Sequence, residues 1–202
     1  MKKKILIGLG IVVVVIIILM ATGALKFSVT VTPSSITDSE GKSSKPVLPE
    51  GWVEYPNTEV GYTIYYPQDW KLQENNEQGA EEILLVAPEG TAFVRVAAFQ
   101  DSSITSEETI RASLKEYEAS FAGKSDEVVT KFESDVINTV GYFRVTGGMQ
   151  INKVPYTFLE RGMLAQNGNV IIMRGATVTA NVQALAPIIN QIMESFWLIK
   201  LQ

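Results

Sequence analysis

The sequence predicts an α+β domain, an antiparallel sheet with helices packed on it, preceded by one N-terminal transmembrane helix. Three observations carry this expectation. Residues 5–25 form an uncharged, almost wholly apolar run of 21 residues. Further along, stretches that alternate apolar and polar residues follow one another through short turns bearing Asn, Gly or Pro. Two other stretches carry apolar residues at helical spacing, one between the strands and one after them. Runs of strands with helices inserted and appended give antiparallel pairing rather than a βαβ repeat.

The 21 apolar residues of 5–25 span about 30 Å as a helix, the thickness of a bilayer's hydrocarbon layer. Lys2, Lys3 and Lys4 precede them and only Lys26 follows closely, so residues 1–4 are expected to be a cytoplasmic stub and the rest extracytoplasmic, in a cell membrane. The alternative is a cleaved signal peptide, whose small-residue site would lie at Ala21–Ala24, but its apolar region would run only about 7 to 15 residues. Residues 26–51 follow as a flexible linker: 14 of the 26 are Ser, Thr, Pro or Gly, too few large apolar groups to offset the entropy of ordering. As a coil it would reach about 28 Å. Within it, residues 27–32 alternate like a short strand.

Residues 52–202 make the globular domain. Tyr62, Ile64 and Tyr66 alternate ahead of Pro67, which stops the strand, and Trp70 follows as an apolar plug. Residues 82–87 and 91–99 read as a hairpin around Pro88-Glu89-Gly90, the second strand central and covered on both faces because only Arg95 interrupts its apolar run. A helix is expected from a capping box of Thr105 and Glu108, with Ile110, Leu114, Tyr117 and Phe121 on one face and Gly123 at its end. Glu107 and Glu108 then serve the helix dipole. Strands follow at 128–136, 141–149, 155–165 and 170–177, with Asn138, Asn152 and the type I′ pair Asn167-Gly168 at the turns. Residues 180–197 close the chain as a helix whose stripe is Val182, Leu185, Ile188, Ile189, Ile192 and Phe196, starting near Ala186 or kinked at Pro187.

Composition limits the chemistry. The chain has no Cys and no His, which excludes disulfides, thiol nucleophiles, Ser-His-Asp triads, thiolate or imidazole zinc sites, Fe–S clusters and ordinary haem ligation. All 22 acidic residues follow residue 25 while three of the 17 basic ones precede it, leaving 14 − 22 = −8 for the remainder. Such a domain is a poor partner for nucleic acid or anionic headgroups.

The segment Val60-Gly61-Tyr62-Thr63-Ile64-Tyr65-Tyr66-Pro67-Gln68-Asp69-Trp70 resembles the opening of PsbP-like domains, and Ile137-Asn138-Thr139-Val140-Gly141-Tyr142, the hairpin 156–173 and Met193-Glu194-Ser195-Phe196-Trp197 resemble the closing half in order and spacing. The resemblance covers about residues 52–198 and implies an antiparallel sheet with helices against its faces, a fold shared with a Ran-binding nuclear import factor and bacterial envelope proteins. The namesake's role in retaining calcium and chloride at photosystem II does not transfer, because this chain has an anchor in place of a transit peptide and no histidine.

Three functional classes are open. The first is a binding or scaffolding domain that docks on a membrane or envelope protein complex, with an exposed aromatic patch around Trp52, Tyr55, Tyr65 or Trp197. The second is a small-ligand or calcium binder, although Glu81-Glu82 and Asp126-Glu127 read as solvated strand edges. The third is a carboxylate hydrolase, which needs a cleft carboxyl with a raised pKa; Asp101, Asp126 and Asp135 read better as turn and cap residues. Ser39-Glu40-Gly41-Lys42 matches Ser-x-x-Lys, but in a linker without a preorganised base. No residue is assigned a catalytic, cofactor or metal role, and the chain is not read as an enzyme. One constellation is expected on the sheet: Arg144, Glu160 and Arg174 as a cross-strand charge triad, or an anion pocket.

Overall fold

The computed structural model describes residues 49–77 and 80–198. The expected membrane helix, 5–25, and the linker as far as residue 48 lie outside the described residues. Among those described, no helix is long and apolar enough to cross a membrane.

All the described strand pairs are antiparallel. A small sheet has the order β1-β2-β10, formed by β1 (Trp52–Asn57), β2 (Tyr62–Pro67) and β10 (Trp197–Leu198). The large sheet has seven strands in the order β3-β4-β5-β9-β8-β7-β6: β3 (Lys71–Glu77), β4 (Ala80–Val86), β5 (Ala92–Gln100), β6 (Glu127–Ile137), β7 (Val140–Ile151), β8 (Val154–Ala165) and β9 (Asn169–Val178). Helix α1 (Glu107–Ala119) lies on one face; helix α2 (Val182–Glu194), after a short 3-10 turn (Thr179–Asn181), lies on the other with the small sheet.

Alternation sorts each strand between two cores. On the α2 face, Val94, Val96, Ile83, Leu85, Ile171 and Met173 pack under Ile189, Ile192, Met193 and the small sheet's Tyr62 and Ile64. Gly175 permits the close approach of α2, since a Cβ there would overlap Ile189. On the α1 face, Phe143, Val145, Met149, Phe158, Leu164 and Val170 pack under Ile110, Leu114 and Phe121. The two covers are offset. Helix α1 sits over β6 and β7, whereas α2 sits over β9 and β5. The second strand of the first hairpin is therefore most deeply buried on its α2 side; on its other side Ala97 is buried, while Phe93, Arg95 and Phe99 are half-buried, with the two Phe against the α1-side core. The strand is central as expected, and its cover is thinner on the α1 side than on the α2 side.

Several local expectations shift by a residue. Helix α1 is capped by Ser106, not Thr105: the Ser106 Oγ accepts from Thr109 N–H (3.2 Å) and Thr109 Oγ1 accepts from Ser106 N–H (3.0 Å), a capping box in which threonine replaces the glutamate. Its C-cap is Ser120, and Gly123 supplies positive φ in the turn beyond. Helix α2 starts at Val182, ahead of Ala186, and contains Pro187. The type I′ expectation for Asn167-Gly168 is reversed. There Gly168 alone has positive φ, after a turn closed by Gly168 N–H to Ala165 O (2.9 Å), while the two-residue turns Asn138-Thr139 and Asn152-Lys153 have positive φ at both positions. Thr139, at φ 64°, is β-branched in the left-handed region. Thr139→Gly is therefore expected to raise stability by about 0.5–1 kcal/mol, read as a shift in urea midpoint at unchanged m.

Candidate docking face

The expected charge triad is half present. Arg174 on β9 and Glu160 on β8 are directly opposite, and Arg174 Nε donates to Glu160 Oε2 (2.5 Å) on the α1 face. Arg144 does not join them. On β7 its neighbours Phe143 and Val145 face α1, so alternation turns Arg144 to the other face, which rules out both the triad and the anion pocket built on it. Its place is taken by Glu127, whose Oε1 accepts from Arg174 Nη1 (2.5 Å) and whose Oε2 lies 3.3 Å from Lys124 Nζ. Glu127 is 3% exposed, so the reading of Asp126-Glu127 as a solvated edge fails. The clue was alternation with Val129, which puts Glu127 on the inward face.

Around this pair the network closes on itself. Tyr117 of α1 donates to Glu160 Oε1 (2.5 Å), and the Arg174 guanidinium lies 4.6 Å from the Phe158 ring centre. Burial pushes the Glu127 carboxyl up, but Arg174 and Lys124 more than reverse this and hold it below the usual carboxylate range. Burial and then the Glu160 charge drive the Tyr117 hydroxyl well above its ordinary value. Two carboxylates balance two cations here, and the cluster fastens α1 and its following loop to the sheet. It is structural.

The other acidic pair is also engaged. Glu82 forms a half-buried ion pair with Arg95. Glu81 Oε2 accepts from Asn57 Nδ2 (2.5 Å), and Asn57 Oδ1 in turn accepts from the backbone N–H of Glu59 (3.1 Å) and Val60 (2.9 Å). A hydrogen bond and like charge from Glu81 raise the Glu59 carboxyl pKa. Glu59 is fully exposed at a turn, not in a cleft as a hydrolase would need. A folded-state pKa above the unfolded value means the contribution is present below the unfolded pKa and lost as pH rises through the folded one. Glu59→Gln should thus raise the melting temperature at about pH 7 and leave it unchanged below about pH 4.

Among the remaining expected positions, Asp101 caps its own turn, accepting from Ser103 N–H (2.9 Å), and Asp135 accepts from Val136 N–H (2.7 Å). A shallow depression of about 530 Å³ is lined by Thr105, Thr139, Val140, Ala165, Gln166 and Asn167. Its polar groups bond to one another: Gln166 Nε2 to Thr105 O (3.0 Å) and Gln166 N–H to Thr139 O (3.2 Å).

Of the four aromatics expected to form an exposed patch, the Trp197 side chain lies outside the described residues and the other three turn inward. Tyr65 is 1% exposed, and Trp52 and Tyr55 pack against the α2-side core. Among the described residues the exposed large apolar side chains are Val128, Ile137, Tyr142, Val154 and Leu198. Alternation puts Val128, Ile137 and Tyr142 on the α2 side of β6 and β7, the half of that face beyond the reach of α2.

Register lays this half-face out in rows. One row crosses Asp135, Tyr142 and Met163 before passing under α2 at Ile171; the next crosses Glu133, Arg144 and Arg161 before Met173. Arg161 lies at the rim, 3.5 Å from Glu194 of α2. Burial, then the neighbouring Arg144 charge, lowers the Arg161 pKa, while Glu194 opposes them. Lys131 Nζ pairs with Glu133 (2.6 Å) at the outer edge. The result is an open sheet surface with aromatic and aliphatic side chains beside a ribbon of alternating charge.

No family model matches the chain, and no curated protein does. LpqN of Mycobacterium tuberculosis, involved in cell envelope biogenesis, has 11% identity and a TM-score of 0.41 over 73% of this chain and 91% of that one. The Saccharomyces cerevisiae Ran-binding protein Mog1p has 9% identity and a TM-score of 0.43 over 73% and 95%. Both likenesses are too loose to carry an argument. The cyanobacterial PsbP (CyanoP) of Synechocystis sp. PCC 6803 is similar at 13% identity and a TM-score of 0.56, over 78% of this chain and 98% of that one. The fold of the described domain is thus PsbP-like: a mainly antiparallel sheet with helices on its faces.

Proposed function

We propose that this chain is a membrane-anchored, extracytoplasmic binding or scaffolding module that docks on a membrane or envelope protein complex and performs no chemistry of its own. The observation that carries the reading is the open half-face of β6–β8, where Val128, Ile137 and Tyr142 stay exposed beyond the reach of α2. Aromatic and arginine side chains grouped on a rigid surface are what protein interfaces use as anchors. The apolar run of residues 5–25 would hold the module at a membrane, and residues 26–51 would let it reach about 28 Å from the surface.

The charged residues support binding over catalysis, because Glu127, Glu160 and Arg174 are committed to holding α1, and Glu59 lies exposed at a turn. The test uses the intact chain. After alkaline carbonate washing it should stay in the membrane fraction, and mild detergent should release it bound to a reproducible protein partner. Extraction by carbonate would remove the anchor, and sedimentation as a lone monomer would remove the docking function.

A further inference from the structure

We propose that the pair Arg144 and Arg161 on the open half-face is the recognition site for an acidic side chain of the protein partner, which inserts a carboxylate between the two guanidinium groups while its apolar neighbours pack on Tyr142 and Ile137. This rests on the docking reading and names the partner's chemistry. The two arginines are directly opposite across β7 and β8, on the α2 side. Cross-strand neighbours have Cβ atoms about 5 Å apart, a separation at which like charges repel. The Arg161 side chain is 20% exposed, and its acidic contact, Glu194, is half exposed at a long 3.5 Å. Across β6, Glu133 is opposite Arg144 but bonds to Lys131. The pair is thus incompletely neutralised, and a carboxylate bridging two guanidinium groups forms charge-assisted, geometrically matched hydrogen bonds.

The surroundings decide which anion fits. Glu133, Asp135 and Glu194 match Lys131, Arg144 and Arg161 in number, so the half-face as a whole is neutral. An extended polyanion such as an anionic membrane surface would meet three carboxylates as well as three cations. A single carboxylate meets only the arginine pair. Beside it Tyr142, 44% exposed, and Ile137, 53% exposed, give the partner's flanking residues an apolar seat. The favoured occupant is a protein segment that places Asp or Glu next to apolar residues.

The experiment is site-specific photo-crosslinking in the native membrane, with Tyr142 replaced by p-benzoylphenylalanine in the full chain and the adducts mapped by mass spectrometry. The expected adduct is to a different protein, on a peptide carrying Asp or Glu beside apolar residues. Its yield should fall about tenfold when Arg144→Gln and Arg161→Gln are combined, and stay unchanged with Arg111→Gln on α1. An adduct whose yield ignores the two arginines, or whose peptide lacks an acid, overturns this proposal and leaves docking intact. Adducts to lipid or to a second copy of this chain also overturn it. Absence of any adduct at Tyr142 contradicts docking at this face and this proposal with it.

Discussion

Arg174→Ala is expected to destabilise the domain by about 3–5 kcal/mol, because it strands the carboxylates of Glu127 and Glu160 in the interior. Both acids are almost fully buried, at 3% and 2% exposure, and each accepts a 2.5 Å hydrogen bond from the same guanidinium. Two features set the size. Among the described residues, removing the cation leaves Glu127 with Lys124 at 3.3 Å and Glu160 with the Tyr117 hydroxyl. The loss should appear as a fall of roughly 10 °C in melting temperature. Replacing Arg174 by Met with Glu127→Gln and Glu160→Gln should recover most of it, since a neutral core needs no compensating charge. The pH dependence has a definite sign. Glu127 is held below its unfolded value, so its contribution is present above about pH 4 and lost as pH falls through the folded-state pKa. Glu127→Gln should flatten the acid limb of the stability profile; an unchanged limb would assign that titration elsewhere.

Gly162→Ala should cost about 2–3 kcal/mol, a large effect for one methyl group. Gly162 is directly opposite Phe143, whose ring lies over it, and a Cβ would overlap that ring and press on the backbone oxygen of Ile171. Backbone cannot yield, so the ring must move. Phe143 is 5% exposed and joined to Tyr117 and Phe132, with ring centres 4.8 and 6.3 Å away, so its displacement loosens α1 and the edge strand together. Urea unfolding gives the loss directly, and a Phe143→Leu partner substitution should restore part of it by freeing space.

Elements with strong patterns were readable before the structure. The β6–β9 meander, α1 and α2 follow from alternation, helical stripes and Asn-bearing turns. Strand β3, Lys-Leu-Gln-Glu-Asn-Asn-Glu, was not legible, because its residues are poor strand formers and its existence depends on pairing with β4. Likewise β10 is two residues long and exists by pairing with β2. For the charge network the limit was parity. Arg144 lies near Glu160 in pairing order, yet a one-residue offset puts it on the opposite face, while Glu127 from the far edge strand reaches inward. The open half-face proposed for docking was hidden for a different reason. It is defined by where α2 stops, and three of the aromatics that looked like a patch turn inward: Tyr65 on β2 is buried, and Trp52 and Tyr55 on β1 pack against the α2-side core.

The claim that the open half-face is the docking surface is tested most directly by co-purification from solubilised native membranes, comparing the intact wild-type chain with Tyr142→Asp and with Lys115→Glu, an exposed position on α1. Tyr142 is 44% exposed on the open half-face, so its substitution should leave the melting temperature within about 1–2 °C of wild type. The expected result is the same partner recovered with wild type and Lys115→Glu and lost with Tyr142→Asp. Equal recovery with all three, each folded, would contradict the account.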